Sequence, residues 1–174
     1  MAFSSFSTFN SSITISDINI ITKNLVQPAL EIGITARYFK LEIDAVRSSG
    51  QGVQISNLHL YFNGKQVSNS GVTSSNLDKY GRGFDSQSVF DDNIGTYLYS
   101  GTEKNIITFT YPTKITMNQY NWGTAVNNVG RDPISWRLLY STDNTTFTLL
   151  DQQTNFPPSL VRGEYIPIIP IKFS

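Results

Sequence analysis

Val89-Phe90-Asp91-Asp92-Asn93-Ile94-Gly95-Thr96-Tyr97 is an apolar strand end that runs into a turn dense in side-chain oxygens and closes on a Thr-aromatic pair. Asp and Asn carry acceptors that bond the backbone a residue or two further on, so such a run reads as a turn with its own internal scaffold. Outward from this turn the chain reads as β in both directions. Upstream, Arg37 to Asp44 alternates strictly, with Phe39, Leu41 and Ile43 on one face and Tyr38, Lys40, Glu42 and Asp44 on the other. That is the two-residue period of a half-buried strand. Val53 to Phe62 follows, then Asn63-Gly64, a strong hairpin signal.

Downstream, Ile106 to Tyr111 ends at Pro112, which predicts a strand end or edge. Ile115 to Trp122 and Ser135 to Tyr140 are further strands, and Thr146 to Leu150 returns from the Asp143-Asn144 turn. Tyr165 to Phe173 carries Pro167 and Pro170 and is placed on an edge. Gln66 to Gly83 reads as a long surface loop. No window shows a helical period with a cap. About eight short strands with Gly- and Asn-rich turns predict an all-β jelly-roll sandwich over 25–174. Residues 1–24 form an arm or extra strand with apolar positions at Ile13, Ile15, Ile18 and Ile20.

Composition narrows the function classes. The 174 residues suit one domain, and 13 basic against 13 acidic residues give zero net charge. No basic stripe suited to a phosphate backbone is visible, so nucleic acid is not an expected partner. Ser, Thr and Asn number 20, 17 and 15, which makes the surface neutral and rich in hydroxyls and amides. Such a surface suits carbohydrate contacts or a packed assembly. The chain has no Cys, no stretch near the length of a membrane span, and no signal-peptide pattern in Met1-Ala2-Phe3-Ser4-Ser5-Phe6-Ser7. Synthesis in the cytosol is therefore expected, with release by another route.

Several segments together are similar to one family. Ala36-Arg37-Tyr38-Phe39-Lys40-Leu41, Val53 to Tyr61, the Phe90-Asp91 turn, Asp132-Pro133-Ile134-Ser135-Trp136 with the hairpin Tyr140 to Phe147, and Arg162-Gly163-Glu164-Tyr165-Ile166-Pro167 are the segments concerned. They resemble the discoidin (coagulation-factor type C) family of galactose-binding-like β-sandwiches. The resemblance spans about residues 36–168. The Arg-Tyr strand precedes the Asp-rich turn, whereas it closes the domain in the best-known members. That permuted order is similar to versions in tail and capsid-surface proteins of viruses.

The resemblance implies a binding module and, at the Asp-rich turn, a structural calcium ion. Asp91, Asn93 and Thr96 match the family's ligand positions, with Asn57 where a Glu normally contributes a carboxylate and Asp92 where Gly is usual. A hard cation needs six to eight oxygens. The alternative is an Asx-type turn held by its own side chains. Candidate glycan contacts are the loop aromatics and arginines Arg82, Tyr97, Tyr99, Trp122 and Arg131, since sugars stack on rings and bond to fixed polar groups. Trp122 reads more often as core than as a contact, since aromatics dominate core burial, and Arg131-Asp132 reads first as a local pair. Catalysis finds little support. His59 is the one histidine and reads as a strand-face residue, and Glu31, Glu42, Glu103 and Glu164 are dispersed.

These readings converge on a non-catalytic glycan- or surface-binding module of a virus or phage particle, such as a tail fibre, spike or decoration protein. Its partners would be host-surface glycans and neighbouring subunits, with the arm building a homo-oligomer. The alternatives are a purely structural capsid component and a free cytosolic lectin or carbohydrate-binding module.

Overall fold

Alternating apolar residues make the strands, and their buried faces decide how the sheets meet. The computed structural model describes residues 32–76 and 85–173. The arm, 1–24, and Arg82 lie outside the described residues. In chain order the strands are β1 (Ile34–Val46), β2 (Gln54–Ile55), β3 (Leu58–Phe62), β4 (Lys65–Gln66), β5 (Thr73–Asn76), β6 (Leu98–Tyr99), β7 (Asn105–Met117), β8 (Gln119–Trp122), β9 (Pro133–Ser141), β10 (Thr148–Gln153) and β11 (Ile169–Pro170). Short 3-10 turns cover Ser86–Val89 and Val129–Arg131.

The strands form an antiparallel five-stranded sheet in the order β10-β9-β1-β7-β5, a four-stranded sheet β11-β8-β3-β4 and a small pair β2-β6. Phe39, Leu41 and Ile43 of β1 are at most 2% exposed, as their alternation predicts. They join Ile107 and Phe109 of β7, Trp136 and Leu138 of β9, and Leu58, Leu60, Tyr120 and Trp122 of the four-stranded sheet in one core. Each fully buried side chain of this size contributes roughly 1.5–3 kcal/mol. The two larger sheets therefore hold each other through a shared apolar layer.

Turn chemistry behaves as its residue types dictate. Asn63 and Gly64 take φ of 54° and 74°, joining β3 to β4, and Asn144 takes 63° between β9 and β10. Ile169–Pro170 pairs only with β8, at the sheet edge, where a missing N–H costs no ladder bond.

Four expectations are corrected. Pro112 lies inside β7 and does not end it. Between the pairs Ala36↔Ile115 and Tyr38↔Thr110 the register advances two residues on β1 and five on β7, so the proline sits in an irregular stretch without a ladder partner on β1. Val53 to Phe62 is broken at Ser56-Asn57, which turn toward the Asp91 loop. The loop expected over Gln66 to Gly83 contributes a strand, β5, because Thr73 to Asn76 pair with Ile107 to Thr110. The strands also outnumber the expected eight, several being only two residues long.

Candidate functional site

The Asp91 turn is built almost wholly from its own side chains. One Asp91 carboxylate oxygen accepts from the Asn93 N–H at 2.9 Å, and the other accepts from the Thr96 hydroxyl at 2.7 Å. The Asn93 side-chain oxygen takes the Gly95 N–H at 3.0 Å. Beneath the turn, the Ser56 hydroxyl bonds the Ile94 and Thr96 carbonyls at 2.9 and 2.8 Å. Buried Asn57 turns its side-chain oxygen to the N–H groups of Asn93 and Ile94, each at 3.2 Å, and to the Tyr165 hydroxyl at 2.9 Å. Gly123 lies under Ile94, where a Cβ would come within 2.5 Å of Ile94 Cδ1.

This arrangement bears on the calcium expectation through the lone pairs of its oxygens. Calcium wants six to eight oxygens with lone pairs facing inward. Here the Asp91, Ile94, Thr96 and Asn57 oxygens already face N–H or O–H donors, and Asp91 is the one carboxylate among them. A cation here would share these oxygens with the donors that already face them, with a single carboxylate to offset its charge. Asp91→Ala is expected to lower stability by about 1 kcal/mol, the usual net contribution of such bonds, equally with millimolar calcium or with chelator. Thermal melts decide it. A calcium-dependent rise in Tm that vanishes in Asp91→Ala would restore the ion.

Asp92 does something the family pattern does not anticipate. Its φ of 57° is the left-handed region, which explains why glycine suits this position. An Asp carboxylate there reaches His59 Nε2 at 3.0 Å and accepts from the Asn69 amide at 3.1 Å. His59, 6% exposed, stacks on Tyr165 with ring centroids 4.9 Å apart. Asn69 in turn accepts from the Tyr111 hydroxyl at 3.2 Å. Sequence reading placed His59 correctly on a strand but missed its partner. The usable signal was a carboxylate standing in a glycine position.

Burial lowers the His59 pKa below 6.5, and the hydrogen bond and charge of Asp92 oppose that shift. The fold thus favours the neutral ring, and near pH 6 the unfolded chain binds more protons than the native one. Stability from this group is whole above about pH 6.5 and is lost as pH falls below it. His59→Gln should flatten the urea midpoint between about pH 5 and 7. Parallel profiles for the two proteins would remove His59 as the titrating group.

The loop Thr124 to Arg131 brings three of the expected contacts together. The Tyr97 hydroxyl accepts from the Asn127 amide at 3.1 Å. The Arg131 guanidinium carbon lies 4.4 Å from the centre of the Tyr99 ring. Asn128 bonds Gln51 at 3.4 Å and caps the Val129–Arg131 turn through Gly130 N–H at 2.9 Å. Beyond them Val126, Leu160, Val161 and Tyr165 are exposed apolar residues.

Two expectations about this end are corrected. Trp122 is fully buried and meets Trp136 edge-to-face at 5.5 Å, so it is core and not a ligand contact. Its strand, β8, is flanked by β3 and β11, and its inward position puts the ring between the sheets. Arg131 and Asp132 do not pair. The buried Asp132 carboxylate instead takes Arg162 on both oxygens, at 2.8 and 2.7 Å, with Arg47 at 3.5 Å. Burial pushes the Asp132 carboxyl up, and Arg162 followed by Arg47 pull it back. This cluster ties the strand entrance to the segment Pro158 to Arg162, because Arg47 also bonds the Pro158 carbonyl at 2.6 Å.

Among the described residues, no three His, Asp or Glu gather to hold a metal ion, and no helix is long and apolar enough to cross a membrane. No family model, curated protein or solved structure matches the chain.

Proposed function

We propose that the chain is a non-catalytic glycan- or surface-binding module of a virus or phage particle, built on a galactose-binding-like jelly roll. The observation that carries this reading is the loop end where Tyr97, Asn127, Tyr99 and Arg131 stand together on a rigid sandwich. Rings, amides and a guanidinium held in place by their neighbours are the groups that recognise sugars. The hydroxyl- and amide-rich composition supports the same conclusion. Nothing in this reading calls for catalysis, because its chemistry is contact alone.

A glycan array tests it. The native chain should bind, and Arg131→Ala or Asn127→Ala should weaken binding by about 1 kcal/mol or more while the fold persists, as for a contact hot spot. Silence across a broad array with folded protein would overturn the reading. A structural role in a capsid is the second reading, favoured by Leu160 and Val161 at 67% and 58% exposed. Under it, light scattering should show an assembly that Leu160→Glu with Val161→Glu reduces to monomers. The pairing of residues 1–24 with a neighbouring subunit belongs to the same proposal, and deletion of those residues tests it.

A further inference from the structure

The outward face of the five-stranded sheet holds a second place built for a ligand. It is a groove of about 500 Å³ over β5, β7 and β1, walled on one side by the β9–β10 hairpin. Its floor follows from the register. One cross-strand row is Thr73, Thr110 and Tyr38, and the next is Ser75, Thr108 and Lys40. Side chains alternate across a strand, so these members point outward while Ile107, Phe109, Phe39 and Leu41 point into the core. The result is a bed of hydroxyls with one ammonium at its inner edge.

Lys40 is held in an unusual way for a surface lysine. Its Nζ lies 3.9 Å from the centre of the Phe147 ring, on the hairpin side of the groove. Among the described residues no carboxylate pairs with it. Among the described residues, the lining of the groove contains no Asp or Glu. A neighbouring hollow on the same face behaves differently. There Arg137 is satisfied by Asp44 on two nitrogens at 3.0 Å each and by Glu42 at 3.0 Å. Arg137 on this face is thus paired with carboxylates, whereas Lys40 has none among the described residues.

The hydroxyls also keep capacity for a ligand. The Ser75 and Thr108 hydroxyls bond each other at 2.9 Å and Thr108 also reaches the Ser75 carbonyl at 3.3 Å, which still leaves each hydroxyl an acceptor lone pair. Thr73 and Thr110 make no side-chain hydrogen bond among the described residues. Asn144, in its left-handed turn, brings an amide to the rim. An array of neutral donors and acceptors around a single cation matches a sugar ring that carries a carboxylate.

We infer that this groove binds an acidic saccharide, with Lys40 receiving the carboxylate and Thr73, Ser75, Thr108 and Thr110 receiving ring hydroxyls. The inference rests on the reading of the chain as a glycan-binding module, and it places the acid-selective contact on the sheet face, apart from the loop end. Phe147 is a positioning residue that holds the ammonium toward the groove.

Calorimetric titration of the full chain tests it, using trigalacturonate and sialyllactose against neutral galactotriose and lactose, with inorganic phosphate alongside. The acidic sugars should bind better than their neutral counterparts. Lys40→Gln should weaken the acidic sugars about tenfold to a hundredfold and leave neutral ones unchanged. Thr110→Val, nearly isosteric and folded by its melting curve, should weaken both kinds. Acidic sugars bound equally by the native chain and Lys40→Gln would overturn the groove while leaving the glycan-binding reading standing. Inorganic phosphate competing as well as the sugars would overturn the saccharide class and keep only an anion site. No binding of any sugar here or on the array would overturn both readings together.

Discussion

Asp132→Ala is expected to cost the fold about 3–5 kcal/mol, the range for breaking a buried ion pair by removing one partner. The carboxylate has no exposed side-chain surface, and it holds Arg162 through two hydrogen bonds and Arg47 through a longer contact. Removing it leaves the Arg162 guanidinium, only 18% exposed, without its counter-charge. The segment it anchors should loosen with it, since Arg162 also bonds the Ser159 and Ala125 carbonyls at 2.9 and 3.4 Å. Arg162→Ala should be nearly as damaging. Arg47→Ala should cost less, because its side chain is 26% exposed and its contact with Asp132 is 3.5 Å. Guanidinium denaturation of the three variants checks the order. Equal and small losses would mean that the cluster contributes little beyond its own desolvation, which buried pairs sometimes do.

Trp122→Ala should lower stability by about 3–5 kcal/mol through the cavity it leaves between the sheets. For a domain of this size that corresponds to roughly 6–20 °C in Tm. The ring is fully buried, packs edge-to-face on Trp136, and lies among Leu58, Leu60 and Tyr120. Around Trp136 the polar atoms are arranged in a chain, with its Nε1 bonding the Tyr120 hydroxyl at 2.8 Å and that hydroxyl donating to Asp151 at 2.6 Å. A cavity at Trp122 should therefore also disturb this chain. A sugar-contact role for Trp122 would give the opposite result, lost binding with an unchanged melting curve.

The sequence by itself determined the long alternating strand β1 and the tight turns. Phe39, Leu41 and Ile43 alternate with polar residues, and that period admits one extended strand with one buried face. Asn63-Gly64 and the Asp143-Asn144 turn were legible because few residues accept a left-handed backbone. The internally bonded Asp91 turn was legible too, since each acceptor reaches donors only two to five residues away.

Everything that depends on partners distant in the chain was decided by the tertiary structure. Trp122 next to Gly123 reads both as core and as a sugar contact, and the placement of β8 between β3 and β11, which buries it, decides for core. Asp132 has Arg131 beside it in sequence, yet it pairs with Arg162 thirty residues on, because Arg131 closes the 3-10 turn before β9 and lays its guanidinium on the Tyr99 ring instead. His59 finds Asp92 across 33 residues. The hydroxyl-lined groove needs β5, β7 and β1 laid side by side in one register, and Thr73, Thr110 and Lys40 share no local pattern that would announce it. Periodicity and turn chemistry act over a few residues, so a sequence carries them openly. Cross-strand register and sheet packing act between segments far apart, and only the folded chain brings their side chains together.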